Sequence, residues 1–186
     1  KQPKQINSEV LFIERYLDWL KMGGFCASVV PDSVLTNRMI YSDLRKGIYD
    51  KCDIRAVISF PVETFAIAGT TAKTSILFFQ KSKSKKTTFF SICKSIGYKV
   101  VTRNTHKIRS ITTENDLPEI MDSYLNKKDS KNCNWMRLTS ESLRWDATYH
   151  AFLPASLIER LSSKNKNDLF LPQVAEIIND RVNPKR

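Results

Sequence analysis

Residues 54–81 read IRAVISFPVETFAIAGTTAKTSILFFQK, and the order of their three parts decides the fold. Residues 54–59 form a short apolar run rich in β-branched side chains, the mark of a buried strand. Residues 75–80 (SILFFQ) are a second such run. Between them, residues 60–74 hold Pro61, Gly69 and several threonines, which is loop chemistry, yet Phe65 and Ile67 sit in the middle. A loop exposes an aromatic ring only when the ring packs somewhere or binds something. Filling the core is the commoner fate of such a ring, and both readings stay open here.

Working outward, the segments before residue 54 alternate. Ser8 is placed to cap a helix in which Val10, Ile13, Leu17 and Leu20 share one face, and Gly23-Gly24 ends it. Residues 25–30 (FCASVV) read as a buried strand closed by Pro31-Asp32. Ile40, Leu44 and Ile48 mark the next helix, leading to the strand at Ile54. Helix, strand, helix, strand is the α/β pattern and predicts a parallel sheet. Beyond it, residues 81–86 (KSKSKK) separate SILFFQ from TTFFSIC, and apolar runs on both sides predict a β-hairpin with lysines at its tip. Those lysines could equally keep a sheet edge soluble. Residues 117–125 read as a short helix with Asp116 as cap and Pro118 near its start. The polar stretch 127–134 marks a domain boundary. A helix from Pro154 to Leu161 is expected after it, followed by the segment 171–178 (LPQVAEII).

The 186 residues, 41% hydrophobic and 10% aromatic, are enough for a buried core. No apolar run approaches the ~18 residues that span a bilayer, and no signal peptide opens the chain. A cytoplasmic protein without membrane contact is therefore expected. The chain opens on Lys1, without a Met, as part of something longer would. Cys26, Cys52, Cys93 and Cys133 lie far apart, and neither His106 nor His150 has a ligand partner nearby in sequence, so no metal site is expected. The net charge is +11, and residues 81–110 supply most of it, with nine Lys or Arg and no carboxylate. A polyanionic partner is the economical explanation, with a solvated basic surface as the alternative.

The block SFPVETFAIAGTTAKTSILFFQK closely resembles the last conserved block of N6-adenine DNA methyltransferases of restriction-modification systems. Type I modification subunits and fused methylase-specificity polypeptides are the nearest kinds. What they share is an extended run, Pro-x-x-x-Phe, a Gly-Thr turn, Lys-Thr and a closing strand. EVLFIERYLDWLKMGGFCASVVPDSVL resembles the helix and strand that follow the family's catalytic block, although Lys21-Met22 stand where Pro is usual before the glycine pair.

The resemblance implies the C-terminal half of a Rossmann-like methyltransferase sheet, with the Ser75 strand inserted antiparallel near its edge, a terminal β-hairpin and a mostly helical linker. The domains it implies are 1–126 for the methyltransferase part, 127–170 for the linker, and 171–186 for the start of a target-recognition domain. Arg144, Asp146 and Tyr149 echo a segment that precedes such domains.

The activity implied is transfer of a methyl group from S-adenosylmethionine to a flipped-out adenine in double-stranded DNA, with a specificity subunit or a fused target-recognition domain as partner. The family's Asn-Pro-Pro-aromatic motif and its cofactor glycine turn are absent from these residues, so no catalytic or cofactor-binding residue is assigned and the chain alone is not expected to be active. Phe65 is the residue placed to stack on the flipped base. Lys73, Lys81, Lys83, Lys85 and Lys86 are the candidate phosphate contacts. The readings kept beside this one are a non-catalytic basic α/β module that binds nucleic acid, and an RNA substrate.

Overall fold

The computed structural model describes residues 7–151 except 104, 141 and 143. Helix α1 (Ser8–Trp19) buries Val10, Ile13 and Leu17, the stripe its period predicts. Its cap is Asn7 rather than Ser8, and the Asn7 amide donates to Tyr41 Oη (2.6 Å) instead of to its own helix. Strand β1 (Phe25–Pro31) leads through a short helix α2 (Asp32–Thr36) to α3 (Ile40–Lys51), on which Leu44 and Ile48 are buried. Arg45 is buried too. Its guanidinium donates to the carbonyls of Val34 (2.6 Å) and Asn37 (2.7 Å), so α3 closes the end of α2.

Strand β2 (Cys52–Ser59) is the sheet's centre and is buried along nearly its whole length. The sheet continues through β3 (Thr74–Lys81), β4 (Thr88–Ile92) and β7 (Cys133–Met136), in the order β1-β3-β2-β4-β7. β3 runs antiparallel to both β1 and β2, and β4 runs parallel to β2. The parallel β1 and β2 are therefore not neighbours, because β3 is inserted between them, one place from the edge. β1 is an edge strand rather than a buried one, and Phe25 and Val29 stay exposed.

The hairpin expected between SILFFQ and TTFFSIC does not form. β3 and β4 lie on opposite sides of β2, and residues 82–87 cross the start of β2 between them. Six residues easily span two inter-strand spacings of about 4.8 Å. A hairpin does follow: β5 (Ile96–Arg103) and β6 (His106–Asn115) pair only with each other.

Two cores flank the sheet. Ile13, Leu35, Ile48, Val57, Leu77, Phe79 and Phe90 pack one face against α1, α2 and α3. Phe89, Cys93 and Cys133 pack the other against α4 (Leu117–Asn126) through Ile120 and Tyr124. Tyr124 stacks on Trp135 of β7, with ring centroids 5.7 Å apart.

The boundary expected at residue 127 falls inside this unit, and the described residues from 128 to 151 pack as part of it. β7 pairs with β4, and Leu138, Trp145 and Ala147 join the first core. The short helix α5 (Ala147–Ala151) rests on β4, where His150 meets the Phe90 ring. The helix expected over 154–161 and the segment 171–178 lie outside the described residues.

Candidate functional site

The parallel strands β1, β2 and β4 end along one edge of the sheet, and β3 begins there. Pro31 is opposite Thr74, Ser59 opposite Ser75, and Ile92 opposite Ser59. Carboxyl ends of strands in open α/β sheets are where such folds place their ligands, because the loops there are free to vary on a rigid base.

From the end of β2 the chain passes Pro61 into a 3-10 segment, Val62–Ala68, closed by Gly69 at φ 85°. A positive φ suits glycine, and it lets the chain turn back towards β3. Phe65 sits on this segment, half-buried, and among the described residues it joins neither core cluster.

Both carbonyls that flank Phe65 are held from the β5–β6 ribbon. Tyr98 Oη donates to the Thr64 carbonyl (3.0 Å), and Lys107 Nζ donates to the Ala66 carbonyl (3.4 Å). No local signal in the sequence ties Tyr98 to residue 64, so these two contacts could not have been foreseen.

At the same edge, Asp32 accepts from Ser75 Oγ (3.0 Å) and pairs with Lys73 Nζ (3.2 Å). Lys73 also donates to Thr148 Oγ1 (3.1 Å), and its side chain is 40% exposed. Lys73 is therefore already neutralised by a neighbour, with room left at its tip. Arg144 forks onto Asp146 (2.8 and 3.0 Å), and this hydrogen bonding holds the guanidinium above its ordinary pKa. Asp146 in turn caps α5 by accepting from the Tyr149 amide (3.1 Å).

The lysines at 81–86 lie at the opposite edge. β3 runs from Thr74 to Lys81, and eight residues of strand separate its two ends by roughly 25 Å. Two of the four have other work. Lys81 Nζ donates to the carbonyls of Leu17 (2.7 Å) and Leu20 (2.8 Å) at the end of α1. Lys85 Nζ donates to the carbonyls of Tyr49 and of Cys52 (2.6 Å) at the end of α3. Burial pushes the Lys85 ammonium below its usual pKa, opposed by nearby Cys52, Asp53 and Asp50. Lys81 and Lys85, expected at phosphates, thus close helix ends. Lys83 and Lys86 have exposed side chains, and the Lys86 amide rather than its ammonium is what meets Asp53 (2.8 Å).

The implied cofactor does not fit the described residues. Gly23-Gly24 closes α1 and is tied by both backbone groups to Lys81, at the amino edge of the parallel strands. Among the described residues no glycine turn opens a helix from the carboxyl end of a strand, so they form no cradle for a nucleoside.

The model of the family described as N-6 DNA Methylase matches residues 1–144. The methylase subunit of the type I restriction enzyme StySPI from Salmonella potsdam is 35% identical over 75 residues, covering 40% of this chain and 14% of that subunit. A modification subunit assigned to a type I restriction enzyme from Vibrio vulnificus YJ016 superposes with a TM-score of 0.55 at 19% identity, over 69% of this chain and 27% of that one. A structure of a type I R-M system, described for its complex assembly and conformational transition, gives a TM-score of 0.57 at 16% identity, over 100% of this chain and 42% of that one. These two likenesses concern the fold, a mixed α/β arrangement around one sheet. The chain spans only a small part of the curated relative it matches.

Proposed function

Because the chain belongs to the N-6 DNA methylase family, we propose that it is the C-terminal part of a Rossmann-like adenine-N6 methyltransferase domain of a bacterial restriction-modification system. In this reading the parent enzyme transfers the methyl group of S-adenosylmethionine to a flipped-out adenine of double-stranded DNA. The cofactor is bound mainly outside the described residues. Residues 171–186 begin a target-recognition domain, so sequence recognition comes from a fused domain or a separate specificity subunit.

One observation carries this reading furthest. Phe65 stands half-buried on the 3-10 segment at the carboxyl edge, outside both cores, with the backbone on either side of it held in place. A flipped base loses stacking and pairing worth a few kcal/mol, and a fixed aromatic ring returns about 1–3 kcal/mol of that. Lys73, partly exposed at the same edge, meets a phosphate beside the base, while Lys83 and Lys86 meet phosphates farther along the duplex.

Phe65→Ala in the parent methyltransferase tests it. Losing the stack should lower kcat/KM for methylation roughly tenfold to a hundredfold. Removing a fully buried Phe costs about 3–5 kcal/mol of stability, and a half-buried ring should cost less than half of that. Phe65→Trp should keep much of the activity. A stability loss above about 3 kcal/mol, with methylation per folded molecule unchanged, would make the ring a core residue and refute the assignment.

A further inference from the structure

Among the described residues, the β5–β6 ribbon is poorly explained by packing. An isolated two-stranded ribbon is marginally stable in water, yet this one leaves β-branched residues in solvent, Ile111 at 89% exposure among them. Its register sorts its side chains. Residues directly opposite in an antiparallel pair share a face. Tyr98 with Ile111, Val100 with Arg109 and Thr102 with Lys107 therefore make one face, and Lys99 with Ser110, Val101 with Ile108 and Arg103 with His106 make the other.

The first face is the one that leans on the Phe65 segment, through Tyr98 and Lys107, with the Arg109 guanidinium 4.8 Å from the centre of the Tyr98 ring. The second face is exposed throughout. It presents Lys99, Arg103 and His106 around the aliphatic pair Val101 and Ile108. Glu114 is the ribbon's only carboxylate, and it lies 3.8 Å from the Lys99 ammonium with both side chains more than half exposed.

We infer that the β5–β6 ribbon is a double-stranded DNA-binding arm that lays its Lys99–Val101–Arg103 face into the major groove beside the Phe65 segment. The inference rests on the reading of the chain as part of a DNA methyltransferase, and adds to it the surface that holds the duplex. Three observations converge on a duplex. The β6 strand is ten residues, or roughly 33 Å, long, and the major groove, about 12 Å wide, admits a two-stranded ribbon. The face is basic at its ends and aliphatic at its middle, which suits phosphates at the groove walls and thymine methyl groups at its floor. Finally, the ribbon is fixed through its other face to the backbone on both sides of Phe65, so the arm presents its basic face from an anchored base.

The test is fluorescence anisotropy of the full chain with a labelled 20-base-pair duplex and with one of its single strands, over a series of salt concentrations. Lys99→Ala/Arg103→Ala should weaken duplex binding about tenfold or more near 0.1 M salt. It should also reduce the slope of log K against log salt by about 2, at roughly 0.9 for each phosphate no longer neutralised. Lys128→Ala/Lys131→Ala removes the same charge from an exposed loop off the ribbon and should leave the slope unchanged.

An unchanged slope in the ribbon variant overturns the inference and leaves that face to a protein partner. So does an equal loss in the loop variant, which would mean diffuse attraction, or a single strand that binds as tightly as the duplex. Methylation by the parent reports Phe65 and the salt slope reports the ribbon, so failure of one reading is distinguishable from failure of the other.

Discussion

Lys81→Met separates a lysine that builds the fold from one that binds DNA. Helix α1 has no basic residue in its own last turn, so its carbonyl end is not offset from within. Lys81 supplies the charge from β3, donating to Leu17 and Leu20 at 2.7 and 2.8 Å, while its own backbone is clamped to Gly23 and Gly24. Hydrogen bonds from a charged donor contribute about 1.5–3 kcal/mol each, and the helix-end charge adds about 0.3–1 kcal/mol. Against that, the site is half-exposed, the freed carbonyls regain water, and the released side chain recovers up to ~2 kcal/mol of rotamer entropy.

The net loss should be about 2–3 kcal/mol. For a chain of this size that lowers Tm by roughly 4–12 °C. Met keeps the aliphatic stem, so packing is nearly preserved. The assay is thermal unfolding followed by circular dichroism, at low salt and at high salt. Because the ammonium sits against carbonyls rather than across solvent, added salt should leave most of the difference in place. Lys83→Met, with an exposed side chain, should stay within about 0.5 kcal/mol of the parent. If Lys81→Met melts within a degree of the parent while the salt slope of DNA binding falls by roughly 0.9, the ammonium serves a phosphate and the structural role is refuted.

Two further outcomes follow from buried titratable groups. His150 is buried against Phe90, its Nε2–H donating to the Arg144 carbonyl (2.7 Å), and burial holds its pKa below the ordinary value. The unfolded chain takes up that proton first, so stability should fall as pH drops below about 6.5. His150→Phe, measured by urea unfolding between pH 7 and 5, should flatten that fall, and an unchanged slope would mean the ring is protonated in the fold. Cys93 is pushed up to about 11 by burial, reinforced by Asp116. Native protein at pH 8 should therefore alkylate at Cys93 far more slowly than unfolded chain, read by peptide mass mapping. Its contribution to stability should be lost as pH rises above 9, where only the unfolded thiol ionises. Rapid native labelling at Cys93 would show that the site opens.

Composition and period carried much of this molecule. The apolar runs at 54–59 and 75–80 are strands because a continuous apolar run buries both faces at period two, and that is a local property. The stripe of Val10, Ile13 and Leu17 gave a helix for the same kind of reason, and the order of motifs from Glu9 to Lys81 carried the family.

Partnership between strands was not local. The lysine-serine stretch after β3 has the polar composition of a hairpin tip, and nothing within it distinguishes a turn from a crossing over β2. That was decided by β2 pairing with β3 on one side and β4 on the other, which drew Lys81 and Lys85 onto the ends of α1 and α3. The same pairing set those lysines a strand's length from Phe65 and brought Tyr98 and Lys107 to the carbonyls beside it. A charge count registers how many basic residues a segment holds. Which of them face a helix end, and which face solvent beside the candidate site, is fixed only when residues far apart in sequence become neighbours.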